Sequence, residues 1–484
     1  MTLTILSFAV YSIAVLCIGL WASRKPQKTT EEIHLGNREH GAWTSALSTS
    51  ASTESGFVLL GMVGMAYTQG VSCFWMIAAG LLGYSINWLV LAPKLREKSI
   101  ALNAVTIPEF IYFSTGRTAV SKISSLLAAF FAIIFLMTYV SAQFVAAGKA
   151  VSSQFPLSYS TGVILSAALI AFYAVLGGFR AVSWTDNMQA VIMAFALVIL
   201  PAIILYKIGG FSNLFSSLQA KDPNLVNFTA GASSLKDKLL IILPWLMIGI
   251  AYPGQPHGIT RLMAAKDKNV LRRAPVIAMI WMVVIYTGAI ILGLAARASY
   301  ENLGEIAADP ETALPVLAVR LMPGILAGIT LAAIIAAISS TADSQLLAAA
   351  STIISSIRDY FKFPELKHEL IFTRIAIISL AGISTYFALR QTQIVFRFVL
   401  YAFFGLGASI GPVILYCSLS KNPRPLPTLL GIAVGGILTF FVQDYTLNFL
   451  ICFCAGSLTI IISHVIAVKS GSVKSAPNNP AQTT

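Results

Sequence analysis

The sequence predicts an all-α integral membrane protein with about 13 transmembrane helices. Of the 484 residues, 57% are hydrophobic and only 11% are charged, whereas about 25% of the residues in a water-soluble domain are charged. The mean hydropathy is +0.80. Apolar runs of roughly 20 residues, the length that crosses a bilayer, recur along the chain. The chain is therefore expected to lie in a lipid bilayer.

These apolar runs are the predicted spans. They cover residues 3–20, 43–67, 71–92, 124–148, 158–176, 184–208, 239–252, 275–296, 314–357, 370–389, 395–419, 426–441 and 447–467. The ninth run is too long for one crossing and is expected to include an extracellular segment before Gly324. The first run has positive residues after it but none before it, which indicates an uncleaved helix with its N-terminus outside.

The charge pattern gives an orientation. Most of the 32 Lys and Arg residues fall in loops that share one side if the N-terminus is outside, and short cytoplasmic loops carry such an excess. The C-terminus is then cytoplasmic. Arg180 and Arg261 are expected to lie at cytoplasmic helix ends, where their charges help to set the orientation of the helices in the membrane. The net charge of +13 is scattered over many short loops, so nucleic-acid binding is not expected. The five cysteines lack metal-ligand spacing and are interpreted as packing residues.

Two of the runs contain residues that interrupt a helix. The second holds "ALSTSASTESGF" from Ala46, and the seventh ends in "GIAYPGQPHGITR" from Gly249. Irregular backbone at membrane depth persists only where it is buried in protein or lines a cavity. Each interrupted run opens a block of five, and because five is odd the blocks enter the membrane from opposite sides. The pattern predicts a 5+5 inverted-repeat core with its binding site where the two breaks meet.

This count divides the chain into six parts. They are a first transmembrane helix with a cytoplasmic loop (1–42), inverted repeat one (43–208), an extracellular loop (209–237), inverted repeat two (238–419), two C-terminal transmembrane helices (420–469) and a disordered cytoplasmic tail (470–484). The tail is polar and contains proline, which is typical of disorder.

A third stretch, "IIAAISSTADSQ" from Ile334, places small residues on one helical face. At i, i+3, i+4 and i+7 these residues are Ala337, Ser340, Thr341 and Ser344. Sodium is a hard cation that prefers oxygen ligands, so these hydroxyls could bind it together with carbonyls freed by the broken helix near Ala51 and Glu54. The alternative is that small residues here only allow close helix packing. The pattern alone leaves both interpretations open.

Five stretches together resemble the solute:sodium symporter family, and within it the bacterial carriers of proline. They are "HLGNREHGAWTSALSTSASTESG", "YSINWLVLAPKLR", "GGFRAVSWTDNMQA", "YPGQPHGITRLMAAKD" and "AAISSTADSQLL". The resemblance implies a LeuT-like transporter fold in the bacterial inner membrane. It implies no enzymatic activity, but a sodium-driven symport of proline or a similar small zwitterion.

The resemblance also implies site residues. The sodium ligands would be the backbone carbonyls of Ala51, Glu54 and Ala337 and the hydroxyls of Ser340 and Thr341. Asp186 matches an acidic position that some relatives use for sodium release or as a second ion site. The expected substrate contacts are Ser55, Gly56, Tyr139, Tyr252, Gln255 and Pro256.

The chain departs from this branch of the family beside the first break. The branch has Asp then Met where this chain has Thr53 then Glu54, and Asp343 stands where a neutral residue is found. One helical position rotates a side chain by about 100°, so Glu54 can replace the missing Asp only where the helix is unwound. Glu54 is thus an ion-coupling carboxylate, a partner for a substrate amine, or a structural hydrogen-bond anchor. Asp343 is expected to pair with another helix, and His257 is either a substrate or gate contact or structural.

Sodium-driven symport is the leading function hypothesis. A proton-coupled or differently selective carrier of the same fold is the alternative, because Thr53 and Glu54 alter the ion region. A transporter-like membrane sensor is disfavoured because no signalling domain follows Ala467. A membrane enzyme is the weakest hypothesis, since no metal constellation or paired nucleophile and base is visible.

Overall fold

The computed structural model describes residues 2–24, 29–299, 308–361, 366–390, 394–441 and 445–469. These residues form helices and no β-strand, as the sequence predicts; the predicted tail 470–484 lies outside them. The helices in chain order are α1 (Thr2–Ser23), α2 (Thr30–Leu35), α3 (Ala42–Thr53), α4 (Val63–Gln69), α5 (Trp75–Ser85), α6 (Ala92–Ala101), α7 (Ile107–Ser114), α8 (Ala119–Gln154), α9 (Tyr159–Leu176), α10 (Gly178–Ile208), α11 (Phe211–Lys221), α12 (Leu235–Ala251), α13 (Pro256–Met263), α14 (Lys268–Ser299), α15 (Ala313–Leu321), α16 (Gly324–Phe361), α17 (Leu366–Arg390), α18 (Val395–Leu419), α19 (Pro425–Leu438) and α20 (Tyr445–Lys469).

The helices confirm a multi-pass architecture. In the described ranges, 10 helices are long and apolar enough to cross a membrane, and a bent pair built from α12 and α13 brings the number to 11. The stretch Phe57–Ala101 counts once, although the backbone leaves helical geometry at Gly70 (φ 70°, ψ −147°). There an added Cβ would lie 2.2 Å from the Leu225 carbonyl oxygen, so only glycine fits. The count of 13 requires this stretch to be divided and the 14-residue α19 to be included, and it stays a prediction.

Two helices form the centre of the molecule. In both α16 and α18, 83% of the most apolar stretch is buried, against 22% in α1 and in α20. The buried face of α16 packs on α1 and α8. Because both helices are buried over most of their length, they form the scaffold against which the broken helices lie.

Both predicted interruptions are present. The first broken span consists of α3 and α4: α3 ends at Thr53, Glu54 has φ −89° and ψ 76°, and the chain resumes with a π-helical turn at Phe57–Met62. The second broken span consists of α12 and α13, which meet at an angle of 53° across the short turn Tyr252–Gly254. Each break frees carbonyl groups that an intact helix would have paired.

The two broken spans are joined where α3 begins and α13 ends. The backbone N–H of His40 donates to the Ala264 carbonyl at 3.2 Å, and the N–H of Lys266 donates to the His40 carbonyl at 3.0 Å. The Arg38 guanidinium donates to the Met263 carbonyl at 2.9 Å. Burial, reinforced by the positive charge of Arg261, lowers the pKa of His40 to about 3. His40 is therefore a neutral, buried residue at the joint between the two halves of the chain.

Candidate functional site

Oxygen atoms of α16 and α3 converge at the first break. The Ser340 hydroxyl donates to the carbonyl of Ala51 at 2.8 Å and lies 3.1 Å from the carbonyl of Ala337. The Thr341 hydroxyl lies 3.4 Å from the same Ala51 carbonyl, and all four residues are fully buried. The Ala51 carbonyl is free to face α16 because α3 ends two residues later. The result is a compact group of oxygen atoms without a carboxylate, an arrangement that suits a monovalent hard cation.

The side chain of Glu54 faces a different neighbour. Its Oε2 accepts a hydrogen bond from Trp281 Nε1 at 3.0 Å, and its Oε1 lies 3.3 Å from the Tyr84 hydroxyl. The Tyr84 hydroxyl also lies 3.2 Å from the hydroxyls of Ser50 and Thr53. Of the three roles considered for Glu54, these contacts favour the anchor, since they tie the break to α14 and α5. Its role in ion coupling stays a prediction.

A buried ion pair lies about one helical turn from the oxygen atoms of Ala51 and Ser340, toward the start of α3. Arg261 on α13 donates to Asp186 Oδ2 at 2.9 Å and to the Ser48 hydroxyl at 2.8 Å. The Ser48 hydroxyl donates to the same Asp186 oxygen at 2.6 Å. The side chains of Arg261 and Asp186 are 1% and 0% exposed. The expectation that Arg261 serves topology at a cytoplasmic end is therefore wrong, because its guanidinium is the internal counter-ion of Asp186.

Serine side chains connect this ion pair to the oxygen group. The Ser344 hydroxyl accepts a hydrogen bond from Arg261 and lies 2.6 Å from the Ser340 carbonyl. It is also 3.0 Å from Asp343 Oδ1. The other carboxyl oxygen of Asp343 accepts from the Tyr173 hydroxyl on α9 at 2.7 Å. Asp343 thus pairs with another helix, as expected from its position off the Ser340 face.

The expected substrate residues of the first break lie against α8. The Ser55 hydroxyl is 3.4 Å from the Tyr139 hydroxyl. The backbone N–H of Gly56 donates to Gln143 Oε1 at 2.9 Å. A Cβ on Gly56 would lie only 3.0 Å from Ala146 Cβ, so glycine permits the close approach of the break to α8. Tyr139 and Gln143 are one helical turn apart and both face the break.

Some of the substrate residues expected in the second break lie near Tyr139, and others do not. The His257 ring stands edge-on to Tyr139, with 6.0 Å between ring centroids. Gln255 Nε2 donates to the carbonyl of Phe403 at 2.8 Å. Tyr252 packs on Phe403, but its hydroxyl pairs with Tyr286 at 3.0 Å. Pro256 lines a cavity of about 20 Å³ on the side of Arg261. The two breaks therefore meet around Tyr139, whereas the Tyr252 hydroxyl and Pro256 are engaged on other sides of the second break.

A cavity of about 480 Å³ lies between α4, α12 and α18. Its walls include Trp245 and Phe396, and Phe396 stacks on Phe57 with 5.1 Å between ring centroids. Phe396 is held at the start of α18 because Glu311 accepts hydrogen bonds from its N–H and from that of Val395, each at 2.9 Å. Since Phe57 directly follows Gly56, this stacking brings the first break next to a wall residue of the cavity.

Sequence reasoning missed several side chains of the site. They are Ser48, Tyr84, Gln143 and Trp281. The signal was available for Gln143, because it is an amide side chain one turn from Tyr139 in the apolar middle of the helix. Nothing in the spacing points to Trp281, which is 227 residues from Glu54 along the chain.

Two broken membrane spans that meet beside buried oxygen atoms are typical of secondary transporters. The chain belongs to the sodium:solute symporter family, whose model matches residues 33–422. It is accordingly a multi-pass, sodium-coupled membrane carrier of a solute.

Relatives and solved structures agree with this assignment. The osmoregulated proline transporter OpuE of Bacillus subtilis is 33% identical over 89% of this chain and 87% of its own. The sodium/proline symporter of Escherichia coli is 30% identical over 91% and 88%. A substrate-bound, outward-open sodium-coupled sialic acid symporter superposes with a TM-score of 0.81 over 97% of this chain and 98% of its own, at 20% identity. That likeness confirms the LeuT-like transporter fold.

Proposed function

We propose that this protein couples inward sodium flow to the uptake of proline or a similar small zwitterion. The names of the relatives support proline as the solute. The observation that carries the proposal is the meeting of the Ser340 and Thr341 hydroxyls with the Ala51 carbonyl at a helix break. Each of these oxygens has a second lone pair, so they could coordinate a cation while the hydroxyl hydrogens keep their carbonyl acceptors.

The proposed sodium ligands are those implied by the sequence. They are the carbonyls of Ala51, Glu54 and Ala337 and the hydroxyls of Ser340 and Thr341. Asp186 is proposed as a transient ion-binding site on the path of the sodium ion, because serine hydroxyls connect it to Ser340. Its pairing with Arg261 means that a passing cation would compete with an internal one.

The proposed solute site lies between the breaks. Its residues are Ser55, Gly56, Tyr139, Tyr252, Gln255 and Pro256. The Tyr139 ring beside His257, and the Tyr252 ring against Phe403, supply apolar surface that suits a small ring. A solute held there contacts both broken spans, so its binding can be coupled to the ion site through Glu54 and Ala51.

The chain is proposed to lie in the bacterial plasma membrane with its N-terminus outside and its C-terminus in the cytoplasm. The basis is the excess of Lys and Arg in loops of one side. In this orientation residues 43–208 and 238–419 form the two inverted repeats, 1–42 and 420–469 are flanking segments, 209–237 is extracellular and 470–484 is cytoplasmic.

The test is uptake of labelled proline into proteoliposomes that contain the purified protein. An inward sodium gradient is expected to drive accumulation, and dissipating the gradient with a sodium ionophore is expected to abolish it. Liposomes without protein and a potassium gradient of the same size are the controls. Equal uptake under a proton gradient with sodium rigorously excluded would refute sodium coupling. Accumulation of a different solute under the sodium gradient would refute only the choice of proline.

A further inference from the structure

Three buried side chains between the two breaks carry polar atoms with no partner in the described part of the chain. They are Gln143 Nε2, Gln255 Oε1 and both ring nitrogens of His257. The residues are 0%, 1% and 0% exposed. A buried polar group without a partner costs about 1–3 kcal/mol. Because these atoms lie where the broken spans meet, a solute bound there could supply partners for some of them.

The orientation of the Gln143 amide is determined by its neighbour. Its Oε1 accepts from the backbone N–H of Gly56 at 2.9 Å, and a backbone N–H is only a donor. The Nε2 group is therefore the end that points away from Gly56, and it offers two hydrogens. The first break thus presents an unused hydrogen-bond donor.

The orientation of the Gln255 amide is determined in the opposite sense. Its Nε2 donates to two backbone carbonyls, Phe403 at 2.8 Å and Ala251 at 3.2 Å. Since a carbonyl only accepts, Oε1 is the end left without a partner. The second break thus presents an unused acceptor.

We infer that the solute is held as a zwitterion by these two amides, with its carboxylate at Gln143 Nε2 and its ammonium at Gln255 Oε1. A carboxylate needs donors and an ammonium needs acceptors, and the two breaks offer one of each kind. The solute then bridges the two halves of the chain through its own two charges. This inference rests on the proposed function, because it names the groups that hold the solute in that same site.

Ligand analogues that lack one charge test the assignment. Prolinamide has a neutral carboxamide in place of the carboxylate, and N,N-dimethylproline has no N–H to donate. Binding of each and of proline is measured by calorimetry on the purified protein in detergent with sodium present. Gln143→Glu keeps an acceptor for Gly56 but places a negative charge at the donor. We expect proline affinity to fall about 10- to 100-fold, as for a lost hydrogen bond to a charged group, and prolinamide affinity to fall at least tenfold less.

Gln255→Met gives the complementary test. It removes the acceptor at nearly constant volume, so the preference for proline over N,N-dimethylproline should shrink at least tenfold while that over prolinamide persists. Because this variant also loses two contacts to backbone carbonyls, Gln143→Glu keeps the inference testable if Gln255→Met does not fold. Gln189→Glu is the matched control: Gln189 is fully buried, with Nε2 on Tyr11 and Oε1 without a partner in the described chain, and its ligand preferences should equal the parent's.

The outcomes separate this inference from the proposed function. If the parent accumulates proline under a sodium gradient but Gln143→Glu keeps the parent's preference over prolinamide, the carboxylate assignment is wrong and the symport stands. If the preferences shift as expected but no sodium-driven accumulation occurs, the coupling is wrong and the assignment stands. A parent that binds none of the three probes would overturn the inference itself.

Discussion

Ser340 on α16 and Ala51 at the end of α3 are 289 residues apart in sequence, yet the Ser340 hydroxyl donates to the Ala51 carbonyl at 2.8 Å. The contact exists because α3 stops at Thr53 and leaves its last carbonyls without partners from its own helix. The oxygen that the break frees therefore meets the hydroxyl face of α16.

Removing the Ser340 or the Thr341 hydroxyl should lower the apparent affinity for sodium in the uptake assay. Ser340→Ala and Thr341→Ala each delete an oxygen ligand with little change in volume, so the half-maximal sodium concentration for uptake should rise about tenfold, as for the loss of one charge-assisted contact. Uptake is measured in variants matched for membrane abundance. The control is Ser409→Ala, since the Ser409 hydroxyl is buried and, within the described residues, donates only to the Gly405 carbonyl of its own helix. Unchanged sodium dependence in both test variants would favour simple helix packing.

Glu54→Gln should separate binding from coupling. Glutamine keeps an acceptor for Trp281 and can donate to the Tyr84 hydroxyl, so the break keeps its shape but loses a carboxylate. We expect solute exchange to persist and sodium-driven accumulation to fall. Both assays are run side by side, together with Trp281→Phe, which removes the anchoring donor but keeps an aromatic ring at this position. If Glu54→Gln accumulates solute like the parent, the carboxylate is not needed for coupling and its role is that of an anchor.

The pair formed by Asp186 and Arg261 should be sensitive to loss of either partner. Asp186→Asn or Arg261→Gln leaves one buried charge without its counter-ion, which costs about 3–5 kcal/mol, so the melting temperature in detergent should fall. The double variant should lose less than the sum of the two. Lys94→Met is the control, because its pair with Glu97 spans 4.0 Å between exposed side chains, where such a pair contributes little. Additive losses in the double variant would show that the pair does not act as a unit.

The buried joint at His40 predicts a pH dependence of stability. Burial lowers the pKa of His40 to about 3, while an unfolded histidine has a pKa of about 6.5. As pH falls below 6.5, His40 binds a proton in the unfolded chain but stays neutral in the folded chain. The free energy of unfolding therefore decreases, by about 2 kcal/mol at pH 5.

The measurement is the melting temperature in detergent at pH 7.5 and pH 5. The drop on acidification should be smaller in His40→Asn than in the parent. His368→Asn, at an exposed position of α17, should behave like the parent. Equal drops in the parent and His40→Asn would mean that His40 is protonated in the folded chain.

The sequence predicts those features that depend on local composition. Apolar length predicts the helices, and the clusters of glycine, proline and small hydroxyl residues predict both breaks. The small face of α16 likewise predicts its contact with α3. Partnerships between distant residues were not predictable, because Asp186 and Arg261 are 75 positions apart and no local pattern pairs them. For the same reason Arg261 was misread as a topological charge, and Trp281 was not associated with Glu54.

The joint at His40 has a mechanical consequence. Half-helices α3 and α13 come from opposite halves of the chain, yet backbone bonds fasten α13's end to the start of α3, and Arg261 reaches Ser48 between them. Because α3 and α13 are connected at both of these points, we expect them to move together as one rigid body. A tilt of α13 relative to α16 would then be expected to carry the Ala51 carbonyl away from Ser340, so that one motion would also separate the oxygen atoms of the proposed sodium site.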